Sequence, residues 1–492
     1  LASSFGAVFA GDWLTLIFFW ELMAVTSTLL VWYYRGKAVR AGYRYAIFHG
    51  IGGTLLMAAI LQTYVAKGTF LFASVPGGPE VAGITVGLPA ALAAIGIGVN
   101  VGFIGLHTWL PDTYPRPHIA ASVFLCVFTT KTGVYGMYRA FPDGHVALAY
   151  MGGGMAVFGA TYALFQNDMR RLLSYHIQSQ VGYMIAGVGI GSALSQAGAF
   201  AHVFNHILYK GLLFMTAGVV IYRTGEESLK KLGGLARQMP ITAAAFTVAA
   251  LSIAGFPGFN GFVSKGIVIA GSHYDFAAGP VGVGGRTTLE WLLLLGGVGT
   301  FMSFIKFGYY AFFHGEYDGE VQDANRGQTV AMVTVAALCV GYGVFDSALF
   351  AILPFDVTSD AVVSHVYVTY TVDHLVEGLA LAVAGLIGFA LTKKPLSKLG
   401  RVPDIDAIYN RGMFYGGRGL VVGVTELWAG VDRAVMRTIA AAKRVGSNPQ
   451  AAVQRLGIGS ADQPVQLRSG IDRSVFVLVG LVSLVLAILL LA

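Results

Sequence analysis

The sequence predicts an all-α polytopic membrane protein that crosses the bilayer about twelve times, with part of one more span at its start. Of its 492 residues, 55% are hydrophobic and only 12% are charged, and the mean hydropathy is +0.68. Soluble globular domains carry about 25% charged residues, so the composition excludes an ordinary soluble domain. Apolar windows of about 20 residues, each long enough to cross the hydrocarbon core, recur along the chain. We predict spans near residues 13–33, 45–65, 84–106, 119–141, 146–166, 172–192, 195–222, 239–272, 287–313, 329–353, 374–392 and 474–492.

The first ten residues resemble the end of a span rather than a targeting signal. They are apolar, but no charged segment precedes them and no cleavage site follows, which excludes a signal peptide. We therefore expect the full-length protein to have further residues ahead of Leu1.

Two of the predicted spans are interrupted. Residues 256–261 place Pro257 and two glycines inside the segment 239–272, where proline removes a backbone donor and breaks the helix. The span 84–106 runs directly into a second interruption, residues 107–112. Broken helices at comparable places in two halves predict inverted repeats of the kind found in transporters.

The distribution of positive charge supports this layout. When loops are assigned alternately to two sides, one side receives only Lys67, Arg139 and Arg286. Because loops rich in lysine and arginine face the cytoplasm, the other side is predicted to be cytoplasmic. It receives Arg35, Lys37, Arg40, Arg44, Arg116, Arg170, Arg171, Arg223, Lys230, Lys231, Arg237, Arg326, Lys393, Lys394, Lys398 and Arg401.

The C-terminal part has a different pattern. Between residues 405 and 445, apolar positions recur at helical spacing opposite Arg433, Arg437 and Lys443, which predicts a cationic amphipathic helix lying along a surface. We divide the chain into four parts: a core at 1–315, additional membrane helices at 316–400, an amphipathic segment with a loop at 401–473, and an anchor helix at 474–492. The apolar stripe comprises Leu420, Val424, Leu427, Val431, Val435 and Ile439.

Several classes of site are excluded by missing motifs. Cys126 and Cys339 both lie in apolar runs, so neither a disulfide framework nor a cysteine metal site is expected. The sequence contains no nucleotide, haem or iron–sulfur motif, and we expect no cofactor and no redox centre of its own. The pI of about 9.2 comes from loop lysines and arginines and is attributed to membrane topology rather than to nucleic-acid binding.

Four lysines lie well inside predicted spans: Lys131, Lys210, Lys265 and Lys306. The one arginine within the predicted bounds, Arg139, lies at the end of the span 119–141. A charged lysine at the bilayer centre costs about 2.5–3.5 kcal/mol, so its presence there indicates a function. Arginine keeps its proton in proteins, whereas a buried lysine can release its own. The pattern predicts proton movement. The alternative is a lysine that snorkels to the interface or forms a static ion pair.

His202, His206 and Lys210 recur at intervals of four residues and therefore line one face of a helix. Groups of this kind, with water between them, are suited to relaying protons. A zinc site is the competing interpretation of the two histidines. The sequence provides no evident third ligand, so we expect no metal.

Two further polar features lie inside apolar spans. Glu21 is an intramembrane carboxylate, which is either functional or only a neutralising partner for a lysine. His176 belongs to the polar segment 166–184, which suits either a hydrated proton path or hydrogen bonds between helices. Asp373 and Glu377, at the start of a later span, are expected to be solvated.

Six ordered motifs between residue 1 and about residue 315 resemble a known family. The chain is similar to the antiporter-like proton-translocating subunits shared by respiratory complex I, Mrp-type cation/proton antiporters and membrane-bound hydrogenases. The motifs are Trp20-Glu21 and residues 107–112, 131–135, 166–184, 205–214 and 255–265.

The resemblance implies roles for individual residues. Glu21 matches the glutamate of the first half-channel, Lys131 and Lys210 match lysines of the central relay, and Lys265 matches the exit-side lysine on a broken helix. The resemblance also places His202 and His206 beside the relay, and we add His176 and Lys306 as relay candidates. Asn100 departs from the family, which usually has lysine there as the partner of the glutamate. Glu21 is then protonated at rest, pairs with Lys131, or uses a lysine of a neighbouring subunit.

Within the family, the sequences around Tyr175-His176 and Lys306 resemble the Mrp D-like branch, which favours an Mrp D-like subunit coupled to sodium. The amphipathic segment before the last span keeps open a complex I-like NADH:quinone oxidoreductase or a membrane-bound hydrogenase. A further alternative is a structural membrane anchor that has lost its proton path. The resemblance implies other membrane subunits as partners, with protons and Na⁺ as transported ions, in a bacterial-type inner membrane.

Overall fold

The computed structural model describes residues 1–72, 75–76, 80–81, 84–85, 87–276, 283–398, 402–449, 451, 455, 475–476 and 478–484. Contacts divide the chain into one unit at Leu1–Ile405 and a second at Asp406–Ala492. The first unit contains α1–α15 and two strands of two residues each, β1 (Glu80–Val81) and β2 (Ile84–Thr85), which pair antiparallel. Its helices are α1 Ala2–Val8, α2 Trp13–Trp32, α3 Lys37–Lys67, α4 Leu88–Val101, α5 Trp109–Thr113, α6 Ile119–Ala140, α7 Val146–Phe165, α8 Met169–Ile190, α9 Ala193–Thr224, α10 Pro240–Ala254, α11 Asn260–Tyr274, α12 Thr288–Gly308, α13 Arg326–Val344, α14 Asp346–Phe350 and α15 Val372–Lys398.

The predicted all-α membrane fold is confirmed. Eight helices among the described residues are long and apolar enough to cross a bilayer, namely α2, α3, α6, α7, α9, α12, α13 and α15. Helices α4 and α10 are shorter apolar helices. Helix α8 has the length of a span but carries many polar residues. The chain is an integral membrane protein.

Two predicted span boundaries were wrong. The span expected from residue 84 begins as a helix only at Leu88, because residues 84–85 form β2 and Pro89 occupies the first helical turn, where proline is tolerated. The span expected at 329–353 ends at Val344, and α14 follows after Phe345.

Local capping explains where the central helices begin. The Asp168 side chain accepts a hydrogen bond from the Arg171 amide at 2.9 Å and caps α8. The Ser192 hydroxyl accepts one from the Ser195 amide at 3.1 Å and caps α9. Each cap satisfies an amide that has no partner inside its helix, which fixes the start of the helix.

Glycines bring α7 and α8 into backbone contact. A Cβ atom at Gly152 or Gly159 would collide with the backbone of α8, and one at Gly182 or Gly189 would collide with the backbone of α7. Small residues at such interfaces let membrane helices approach closely and gain dispersion energy, since lipid offers no hydrophobic driving force between helices. This tight pair positions the polar face of α8.

Both predicted helix breaks are present. Helix α4 is followed by Gly102 with a φ of 77°, and α10 by Gly255 with a φ of 85°, a left-handed conformation that glycine adopts without strain and that ends each helix. The chain resumes as α5 and as α11, respectively. Asn260, the first residue of α11, receives a hydrogen bond on its carbonyl from Asn205 of α9 at 2.7 Å, which ties the break to the central helix.

The second unit contains a long helix, α16, that runs from Asp406 to Ser447. The apolar stripe predicted between Leu420 and Ile439 lies on this helix, and its residues are exposed. Residues 475–476 and 478–484 are also helical, within the predicted anchor span. The other residues of that span, and most of the predicted loop ahead of it, lie outside the described residues.

Candidate functional site

Helix α9 places three basic side chains in the interior. His202, His206 and Lys210 each have no exposed surface, and they lie one helical turn apart. The predicted shared face is therefore a buried face. We call these three residues the α9 basic line.

The two histidines of the α9 basic line differ in their partners. His202 Nδ1 lies 3.0 Å from the Ser264 hydroxyl on α11, and its Nε2 lies 3.3 Å from the Tyr209 hydroxyl. Among the residues that the structure describes, neither ring nitrogen of His206 has a hydrogen-bond partner. The two imidazole centroids are 6.3 Å apart, too far for a direct hydrogen bond. One bridging water fits such a gap.

Lys210 likewise has no hydrogen bond from its Nζ to any described residue. Its Nζ lies 5.8 Å from the centroid of the Phe304 ring on α12. His176 of α8 packs against the same ring, with the two ring centroids 4.7 Å apart, and neither of its ring nitrogens has a hydrogen-bond partner in the described part of the chain. Phe304 thus has Lys210 and His176 as neighbours, and no acceptor among the described residues binds the Lys210 Nζ or the His176 ring nitrogens.

Lys131 is held on α6. Its Nζ donates to the Cys126 carbonyl at 2.5 Å and contacts the Thr130 hydroxyl at 3.1 Å. Cys126 is a buried free thiol, as is Cys339. These neutral partners leave the Lys131 ammonium without a counter-ion among the described residues.

Lys265 is hydrogen-bonded to the end of the broken helix. Its Nζ donates to the carbonyls of Ile253 at 2.8 Å and Ala254 at 3.4 Å, which belong to the last turn of α10 and have no amide partner because the helix stops. It also lies 4.8 Å from the Tyr183 ring. Lys265 lines a cavity of about 460 Å³ that extends toward residues next to the predicted non-cytoplasmic loops.

Lys306 lies toward the predicted cytoplasmic side, away from the Lys265 cavity. Its Nζ donates to the carbonyls of Leu164 at 2.8 Å and Gln166 at 2.6 Å, at the end of α7. It lines a separate cavity of about 300 Å³ together with Lys230 and His314, on the predicted cytoplasmic side. Lys265 and Lys306 therefore line two separate cavities, one toward each predicted side of the membrane.

Glu21 has no ion pair among the described residues. Its Oε1 atom is buried without a hydrogen-bond partner and lies against Gly53 of α3, where a Cβ atom would collide with it. Asn100 is buried and lies close to His49 of α3. Among the described residues, the structure thus gives Glu21 no lysine partner.

Sequence reasoning missed two buried groups. His49 lies one turn before Gly53 on α3, stacks on Tyr45 at 3.8 Å, and is close to Asn100. Glu290 is buried near the start of α12 and pairs with Arg286. Each could have been found from the sequence, because His49 is a histidine and Glu290 a carboxylate inside an apolar span. Among the described residues, no group of three or more His, Cys, Asp or Glu side chains is placed to hold a metal ion.

Comparison with known proteins agrees with this architecture. The D-type subunit of the Na⁺/H⁺ antiporter of Alkalihalophilus pseudofirmus is 32% identical over 300 residues, which cover 58% of this chain and 61% of that relative. Hydrogenase-4 component B of Escherichia coli is 31% identical over 362 residues, 67% of this chain and 52% of that protein. The chain thus spans about half to three fifths of these relatives. A chain of the Mrp complex from Dietzia sp. DQ12-45-1b shares the fold, with a TM-score of 0.72 at 24% identity over 95% of this chain and 52% of that chain.

The family itself follows from a match that covers more than half of the chain. Residues 10–275, more than half of the chain, match the family described as the transmembrane region of NADH:quinone oxidoreductase and Mrp antiporters. This range contains α2–α11, with the α9 basic line and Lys265. The chain therefore belongs to the NADH:quinone oxidoreductase/Mrp antiporter transmembrane family.

Proposed function

We propose that this chain conducts protons as one subunit of a multisubunit Na⁺/H⁺ antiporter of the Mrp D type. The observation that carries the proposal is the α9 basic line, because three fully buried basic groups on one helix face have no structural counter-ion among the described residues. Burying unpaired basic groups is costly, and a static structure gains nothing from them. The similarity to the D-type subunit of a Na⁺/H⁺ antiporter supports sodium as the coupled cation.

The proposed route runs laterally and then outward. A proton passes along Lys131, then His202 and His206, then Lys210, and leaves from Lys265. At each step the donor returns to its neutral form as the acceptor becomes charged, so the chain needs no oxidant or cofactor. His176 and Lys306 extend the route toward the predicted cytoplasmic side, because Lys306 lines a cavity there. Waters bridging the gaps between side chains complete each transfer.

A redox-coupled complex is the second candidate. The helix α16, at 42 residues, precedes a last helical segment, and the similarity to hydrogenase-4 component B extends over more of this chain than the similarity to the antiporter relative does. In that case electron transfer in other subunits drives the same proton path. Asn100 and the unpaired Glu21 favour a third candidate, a structural anchor whose first half-channel has decayed.

Proton transport in inverted membrane vesicles tests the proposal. The complex that contains this chain is compared with Lys210→Ala and Lys265→Ala by a pH-sensitive dye, with and without added sodium. We expect both variants to lose transport while the complex still assembles, and we expect sodium to be required. Lys37→Ala is the matched control, because Lys37 is an exposed lysine at the start of α3.

Each outcome separates the candidates. Transport that is independent of sodium but driven by an electron donor would replace the antiporter with the redox complex. Unchanged transport in both variants would reject the proton route and leave the structural anchor.

A further inference from the structure

The cavity beside Lys265 is a charged vestibule rather than an apolar void. Lys265 and Tyr183 lie on its wall, and the same wall includes Glu290 of α12 and Glu377 of α15. His273 at the end of α11 and Arg286 just before α12 also line it. We call this cavity the Lys265 vestibule. Its remaining titratable lining residues are Tyr274, His365, Tyr367, Asp373 and His374.

Glu290 is the most enclosed acid of the Lys265 vestibule. Its side chain is 2% exposed, and the Arg286 guanidinium and the imidazole of His273, at 2.9 Å, both contact its carboxylate. A buried carboxylate needs such partners, since an isolated charge in the interior is costly. The His273 side chain is 39% exposed and therefore links Glu290 to the outside.

Arg286 joins two helices at the wall of the Lys265 vestibule. Its guanidinium binds Glu290 and also binds the Glu377 carboxylate at 2.7 Å. Arginine suits this arrangement because its planar guanidinium serves two acceptors at once and stays charged. The expectation that Glu377 is simply solvated was wrong, because Arg286 fixes it. We call the Glu290–Arg286–Glu377 contact the arginine bridge.

We propose that the Lys265 vestibule is the release path for protons from Lys265 and that the arginine bridge is its gate. This inference rests on the proposed function. The Lys265 ammonium gives its proton through water to the Glu290 carboxylate, which becomes a neutral carboxylic acid while Lys265 becomes a neutral amine. The neutral Glu290 no longer attracts Arg286, and the guanidinium stays with Glu377. Glu290 then passes its proton to His273 and outside water, and the arginine bridge forms again.

Chemical labelling tests the vestibule independently of transport. Ile269 lines the Lys265 vestibule, whereas Ile267 on the same helix is fully buried in a hydrophobic cluster. A membrane-impermeant cationic methanethiosulfonate reagent is added from the non-cytoplasmic side to the intact complex with Ile269→Cys or Ile267→Cys. We expect labelling of Ile269→Cys only, with the unmodified chain and its two buried cysteines as the background. Equal labelling of both variants, or of neither, would overturn the vestibule.

The gate is tested by releasing one side of the arginine bridge. Adding Glu377→Gln to Ile269→Cys should raise the labelling rate about two- to fivefold, the range that partly exposed ion pairs provide. Glu290→Gln keeps the side-chain shape but cannot carry the proton, so transport should fall about tenfold or more, and Glu290→Asp should restore part of it.

The outcomes separate this inference from the proposed function. If Lys265→Ala abolishes transport but Glu290→Gln does not, the release path is wrong and the proposed function stands. If both Lys210→Ala and Lys265→Ala leave transport intact, the proposed function fails even where Ile269→Cys is labelled. An unchanged labelling rate in the Glu377→Gln variant would overturn the gate.

Discussion

The Nε2 atom of His107 lies 3.1 Å from the Oδ2 atom of Asp404, although 297 residues separate them in the chain. His107 follows the break after α4, and Asp404 precedes α16. The Tyr175 hydroxyl of α8 donates to the same carboxylate oxygen at 2.5 Å. We assign the donor to His107 Nε2–H, because an ionised carboxylate only accepts. Asp404 thus connects the segment after α15, through hydrogen bonds, to the break after α4 and to α8.

Asp404→Asn should lower the stability of the protein by about 1–3 kcal/mol, the cost of weakening hydrogen bonds to a buried charge. Burial raises the pKa of the Asp404 carboxyl, but the hydrogen bonds from His107 and Tyr175 outweigh it and hold the pKa below its ordinary value of 3.8. A lowered folded-state pKa stabilises the protein above that value, and the stabilisation is lost as the pH falls through the folded-state pKa. Thermal unfolding in detergent across this pH range measures the effect.

The difference between the unmodified chain and Asp404→Asn should therefore be full at neutral pH and shrink below about pH 4. Asp360→Asn is the control, because Asp360 is exposed. A difference that stays constant down to low pH would contradict the charged role of Asp404.

Gly53→Ala should disturb the Glu21 carboxylate. The added Cβ would occupy the space of Glu21 Oε1, so we expect a loss of about 1–3 kcal/mol from overpacking, together with lower proton transport. Gly50→Ala on the same helix has nothing within 4 Å and should stabilise α3 by up to about 1 kcal/mol. Thermal unfolding and the vesicle assay of both variants decide this, and equal behaviour of the two would show that Glu21 does not lie against Gly53.

His206→Phe and His202→Phe should separate function from stability on one helix face. Because no described residue hydrogen-bonds to His206, phenylalanine should keep stability or raise it by about 1 kcal/mol while transport falls. His202→Phe removes the contacts with Ser264 and Tyr209, so it should destabilise by about 1–3 kcal/mol as well. Normal transport in His206→Phe would remove His206 from the route.

The helices and the buried lysines could be predicted from the sequence because both depend on local pattern. A run of apolar residues gives a span, and a lysine inside it is visible without knowing its neighbours. The partners of Lys265 also follow from local pattern, since the break at Gly255 frees nearby carbonyls. The residue that faces Glu21 was not predictable, because it depends on how α2 and α3 pack.

The pairings across the chain were likewise beyond sequence reasoning. The sequence pattern marks Arg286 only as a loop charge, yet it binds acids on two helices. The same pattern puts Asp404 in a surface segment, yet it packs in the interior beside His107. Such pairs form between distant segments, and no spacing along one chain encodes them.

The most direct test of the central claim is the proton transport rate of the complex with Lys210→Arg. Arginine keeps the positive charge of Lys210 but does not release its proton in proteins, so transport should be lost while assembly is retained. Lys37→Arg, an exposed exchange of the same kind, should leave the rate unchanged. Full transport in an assembled Lys210→Arg complex would show that Lys210 acts only as a fixed charge, and it would contradict the proton relay.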